Sequence, residues 1–131
     1  MKKRASPVYC TANAPSSPKY SLHNRRFVMD KNGSGQPVLQ TVFTFVQEDR
    51  LLRGEFQGDT VIFGQILGHF VAENQIELHL QWICRAQKIH WGTLSGLVSG
   101  NNRCGLTLFV NWERGNEAKE RGWASFRELL P

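Results

Sequence analysis

From Tyr20 onward, turn residues divide the chain into eight segments of strand length, and no connection between them is long enough for a parallel crossover. The segments are 20–30, 38–48, 51–57, 60–71, 75–83, 88–98, 104–114 and 121–129. Glu48-Asp49-Arg50, Gly58-Asp59, Ala72-Glu73-Asn74 and Arg85-Ala86-Gln87 separate the middle ones, and Gly/Asn-containing stretches at 31–37, 99–103 and 115–119 separate the others. Connections this short join antiparallel neighbours. Alternation supports strands: Ile76, Leu78, Leu80 and Trp82 interleave with Glu77, His79 and Gln81, and Leu106, Leu108, Val110 and Trp112 interleave with Thr107 and Asn111.

An open eight-stranded meander has two unprotected edges, and closing it removes both. The glycines point the same way. All 12 lie beyond residue 32, and Gly54, Gly64, Gly68, Gly92, Gly96, Gly105 and Gly122 fall inside strand segments. Such glycines weaken a flat strand but suit the bends and crowded lumen of a small barrel. The expected fold is therefore all-β, an eight-stranded antiparallel up-and-down barrel of calycin or lipocalin-like type. The rival is a half-open roll with a short helical turn near residues 116–120.

At 131 residues the chain holds one such domain, expected over residues 20–131. Residues 1–19 differ in composition, with Pro7, Pro15 and Pro18, three serines, and four basic side chains without an acid, and read as a flexible tail. That tail holds most of the +5 net charge; the body is nearly balanced. Arg53, Arg114 and Arg127 each have an acid close by in sequence, which argues against nucleic-acid binding by the folded body and leaves only weak binding through the tail. No apolar run approaches the ~18 residues of a membrane helix, and Ala5-Ser6-Pro7 stands where a signal peptide's apolar stretch would begin. Three cysteines without a CxxC spacing suit reduced thiols. The expected compartment is the cytoplasm.

Thr41-Val42-Phe43, Gln47-Glu48, Gly54-Glu55-Phe56, Gly64, Ile66-Leu67-Gly68, Gly92, Leu108, Trp112, Gly115 and Glu128 together resemble a bacterial family of small β-barrels often labelled n-acetylglutamate synthase. The likeness runs from about Leu22 to Leu129. A second one, from Gly92-Thr93-Leu94-Ser95-Gly96 through Trp112 to Trp123, is similar to the last strands of avidin-like barrels. Both resemblances imply a calycin-type meander barrel. The first also implies an acidic residue near Val110 and an aromatic near Arg114, and this chain departs from it at both. The synthase label fits the residues poorly. Acetyl-CoA pyrophosphate is ordinarily held by backbone N–H groups of a small-residue turn at a helix start, whereas Gln65-Ile66-Leu67-Gly68-His69-Phe70 lies in a strand segment with Phe70 where a small residue is needed.

Alternation and the family positions together turn one face of each strand inward: Phe43, Phe45 and Gln47; Leu52, Gly54 and Phe56; Ile62, Gly64, Ile66 and Gly68; Leu78, Leu80 and Trp82; Leu106, Leu108, Val110 and Trp112; Ala124, Phe126 and Glu128. An eight-stranded barrel either fills itself with side chains or keeps one small ligand. An aromatic lumen with isolated polar groups suits a largely apolar or aromatic one. The expected ligand-binding residues are Phe43, Phe45, Gln47, Phe56, Trp82, Trp112 and Glu128. Glu128 is also the one candidate catalytic acid or base, for an enzyme running lyase, isomerase or cyclase chemistry in the lumen. A third reading is an assembly module: Phe63 and Leu67, apolar on the opposite face, suggest contacts in a homo-oligomer.

His69 and His79 fall diagonally on one outward face if residues 72–74 form a tight turn. Two ligands do not close a zinc site, so neither a metal nor a cofactor is expected. None of the cysteines has a base at a diagnostic spacing.

Overall fold

The computed structural model describes residues 17–33, 40–115 and 120–130. Within these, the chain forms β1 (Arg26–Asn32), β2 (Val42–Glu48), β3 (Leu51–Gly58), β4 (Val61–Ala72), β5 (Gln75–Cys84), β6 (Ile89–Asn101), β7 (Gly105–Arg114) and β8 (Glu120–Glu128). Each strand pairs antiparallel with the next, and β1 pairs with β8, so the sheet is a closed barrel in simple sequence order. Closure leaves no edge strand to be capped. Two-residue turns join β2 to β3, β3 to β4 and β4 to β5. Asp49 and Asp59 carry the first two with φ of 53°, a left-handed conformation that Asp tolerates.

The barrel is filled from within. Phe27, Phe45, Leu52, Phe70, Ile76, Val98 and Leu106 are almost wholly buried, with Phe43, Phe56, Leu78, Leu108, Val110 and Phe126 close behind. Glycine makes room for the rings. Gly64 pairs with Phe56 across β3 and β4, and a Cβ at Gly64 would collide with the outer atoms of the Phe56 ring.

The structure corrects the expected pattern at two places. Residues 20–25 are not the start of a strand: they cross one end of the barrel, and β1 begins at Arg26. Ile62 faces outward, 49% exposed, and Val61 takes the inward place. A register shift between Val61 and Phe63 exchanges the two, since one extra residue in a strand reverses the side chains beyond it. The expected turn at 116–119, most of the 31–37 connection and residues 1–16 of the tail lie outside the described residues; Glu120 is in strand. Among the described residues no helix is long and apolar enough to cross a membrane.

Candidate functional site

The two ends of the barrel differ. At one, residues 17–25 form a plug. Leu22 is fully buried and its N–H donates to Gln47 Oε1 at 2.8 Å. Gln47 in turn donates its backbone N–H to His23 Nδ1 at 3.0 Å and its amide to the Asp49 carbonyl at 2.9 Å. Lys19 N–H donates to the Glu73 carbonyl at 2.7 Å. Arg25 Nη1 reaches both oxygens of Glu128 at 2.9 Å, and Nη2 donates to the Asn102 carbonyl at 2.8 Å. Leu106 N–H donates to Glu128 Oε1 at 3.0 Å. Gln47 and Glu128, the two polar groups expected in the lumen, thus lie at the plugged end and accept from, or donate to, the segment that closes it. Phe45 sits just beneath them, edge-on to Phe27 with ring centres 5.7 Å apart.

The remaining expected residues cluster toward the other end. The Phe43 and Phe56 rings stack at 4.7 Å and 6°, with Phe126 edge-on to Phe43 at 5.1 Å. Phe56 is edge-on to Trp82 at 6.0 Å. Trp82 and Trp112 pack on this cluster but stay only partly buried, where Phe56 is 3% exposed. Trp82 also stacks on His90, its partner across β5 and β6, at 5.5 Å and 22°. The result is a closed aromatic floor of Phe43, Phe56 and Phe126 under a half-buried rim of Trp82, His90 and Trp112.

Six residues apart across the β5–β6 turn, Cys84 and His90 meet on this rim. Cys84 has the inward parity of Trp82 and pairs with Val61 of β4. Its backbone N–H donates to the Lys88 carbonyl at 3.0 Å, and Gln87 N–H returns to the Cys84 carbonyl at 2.7 Å. Hydrogen bonding to the Lys88 backbone, then to the His90 side chain, pulls the thiol from 9.0 down to about 7. Among the described residues, Nδ1 of His90 is buried and meets no hydrogen-bond partner. The sequence alone did not single out this pair. Its signal was the length of the turn, because placing Trp82 opposite His90 carries Cys84 to the same rim.

Outside the lumen, a groove of about 600 Å³ crosses the outer wall, lined by Thr44, Arg53, Glu55, Leu67, His79 and Gln81 among others. His69 and His79 do share the outward face, but His69 approaches Glu77 at 3.9 Å and His79 stacks on Trp91. Among the described residues no three potential ligands gather around a metal position. The three arginines with acids close by in sequence do find acids in the structure: Arg53 pairs with Glu48, Arg114 with Glu120 and Arg127 with Asp30.

No curated protein and no solved structure matches the chain. The family model described as avidin-like protein matches residues 20–129, which extends the likeness of the last strands to the whole barrel. With an eight-stranded meander closed on itself and a family match over nearly all of it, this chain belongs to the avidin-like protein family.

Proposed function

We propose that the protein binds a small, flat, largely apolar or aromatic ligand on the rim of its unplugged end, against Trp82 and Trp112 and above the Phe43–Phe56 floor. Barrels of this family typically bind small ligands. The observation that carries the reading is the asymmetry in burial: the phenylalanines are closed off, whereas both tryptophans and His90 remain half-exposed on top of them. Half-exposed indoles over an apolar base offer stacking area without an ordering cost, which is how aromatic ligands are commonly held. The site is shallow because the rings beneath it touch. Gln47, Phe45 and Glu128 belong in this reading to the plug and its base. Glu128 as a proton-transfer group is less well supported, since both carboxylate oxygens already accept from Arg25.

Native mass spectrometry of the purified full-length chain, followed by titration with the apolar probe anilinonaphthalene sulfonate, tests the reading. A retained small molecule or saturable, tryptophan-linked probe binding supports it. Non-saturable binding that Trp82→Phe and Trp112→Phe both leave unchanged defeats it.

A second reading has its own observation. Phe63, Ile83 and Ile89 are exposed and lie in one cross-strand row over β4, β5 and β6, with Leu67 66% exposed nearby. Such a row suits subunit contact, and barrels of this family often form oligomers. Sedimentation of the wild type against Ile83→Lys tests it, with a fall in mass expected.

A further inference from the structure

We propose that residues 17–23 form an acid-released latch over the plugged end of the barrel, with His23 as its trigger. The device lies opposite the aromatic rim and stands whether or not that rim holds a ligand.

The trigger follows from how β2 finds acceptors beyond the end of β1. Phe45 N–H donates to the Arg25 carbonyl at 3.1 Å, and Asn24 N–H donates to the Phe45 carbonyl at 2.9 Å. Gln47, two residues further along β2, presents its N–H to the same edge. Its acceptor is not a backbone carbonyl but His23 Nδ1, at 3.0 Å. The Leu22 carbonyl is already taken by Arg25 N–H at 3.1 Å, in the turn where Asn24 adopts a φ of 60°. Gln47 therefore holds the plug twice, through this bond and through Oε1, which accepts Leu22 N–H at 2.8 Å.

A ring nitrogen accepts only while it carries no proton. His23 is exposed, so solvent protons reach the ring. Once Nδ1 is protonated, the ring turns a donor toward Gln47 N–H, and that N–H loses its acceptor. Proton binding is thus stronger in the open form, and acid shifts the balance toward it. Arg25 stays in place, held by Glu128 and the Asn102 carbonyl. What frees itself is the segment before the Asn24 bend, which seals the barrel end with Leu22.

Other charged groups at this end are Lys19 and Arg25 of the plug, Glu48, Asp49 and Arg50 around the β2–β3 turn, Glu73 at the β4–β5 turn, Arg103 at the β6–β7 turn and Glu128 on β8. Carboxylate, ammonium and guanidinium groups ordinarily hold one charge state between about pH 5.5 and 8, the interval in which an imidazole changes its own. His69, a second imidazole toward this end, lies on the outer wall of β4, 3.9 Å from Glu77.

Hydrogen exchange of the full-length chain, followed amide by amide by NMR at about pH 7.5 and about pH 5.5, tests the latch. Protection is taken relative to the free-chain rate at each pH, so the base catalysis of exchange cancels. Leu22 and Gln47 should lose about fivefold in protection at the lower pH. Val98, whose N–H donates to the Asn74 carbonyl at the same end, should hold its value. His23→Asn places an acceptor oxygen at about the Nδ1 position with no proton to gain, and should keep the protection at both pH values. His23→Ala should show the low protection at both. Unchanged wild-type protection overturns the inference. So does a loss that persists in His23→Asn, which would assign the titration to a carboxylate or to His69. Should either variant fail to fold, the wild type decides alone: the loss must follow the titration of the His23 ring protons, and a loss that follows the His69 ring instead overturns the inference.

Discussion

Arg25 and Glu128, 103 residues apart, meet through two 2.9 Å hydrogen bonds from one guanidinium nitrogen to both carboxylate oxygens, with side chains 19% and 7% exposed. The pair locks the plug to the last strand, and Leu106 N–H on β7 shares the same carboxylate. Breaking a largely buried pair leaves one charge desolvated and alone, at about 3–5 kcal/mol. Arg25→Met and Glu128→Gln should each lose about that much in urea unfolding, and the Arg25→Met/Glu128→Gln double variant should lose less than their sum. Additive losses would mean that the two residues act independently.

The plug itself depends on Leu22, which is wholly buried at the barrel end. Leu22→Ala should cost about 2–5 kcal/mol through lost burial and an unfilled cavity. Removing residues 2–16, whose composition offers little to bury, should leave the unfolding midpoint unchanged. Calorimetry on both variants checks the contrast. A neutral Leu22→Ala would show that the plug is only laid over the barrel.

Strand count, order and closure follow from the sequence because each depends on local chemistry: Asp49 and Asp59 at tight turns, the Ile76–Trp82 alternation, and connections that forbid crossovers. What depends on a single inserted residue is hidden. Val61 and Ile62 are both β-branched, so nothing in their identity says which faces inward, and the bulge decides it. The plug escaped for a related reason. Tyr20 and Leu22 keep strand alternation, and the partner that pins Arg25 lies at the far end of the chain. Gln47 and Glu128 were legible as inward-facing polar groups, but which barrel end they serve depended on that plug.

Gly64 lies under the Phe56 ring, so Gly64→Ala should overpack the aromatic floor and cost about 1–3 kcal/mol. Phe56→Leu in the same chain removes the flat ring that collides with the new methyl. The double variant should recover part of the loss of the single Gly64→Ala variant. Chemical denaturation of the four chains gives the coupling, and no recovery would mean that the strand backbone, not the ring, sets the need for glycine.

An acid whose folded pKa lies below its unfolded value is the less protonated in the folded state, so its contribution to stability grows as pH rises between the two values. Cys84 titrates near 7 folded, against 9.0 for the unperturbed thiol. The stabilisation is therefore complete above about pH 9 and is lost as pH falls through about 7. Urea midpoints of the wild type should rise relative to Cys84→Ser across that interval. Parallel curves would show that the Lys88 backbone and His90 do not favour the thiolate.

The rim and the floor should respond differently to mutation. Phe56 is 3% exposed and touches Phe43 and Trp82. Phe56→Ala should cost about 3–5 kcal/mol, as expected for an emptied core position. Trp82 and Trp112 have one side free, so Trp82→Phe and Trp112→Phe should each cost less than about 1.5 kcal/mol. If the rim holds the ligand, those same mild changes should weaken anilinonaphthalene sulfonate binding, while Leu67→Lys in the outer groove leaves it alone. The reverse pattern, with binding indifferent to both tryptophans and lost in Leu67→Lys, would move the ligand from the barrel mouth to the outer wall over β2–β5. Fluorescence titration of the three variants at matched fractions folded distinguishes the two locations.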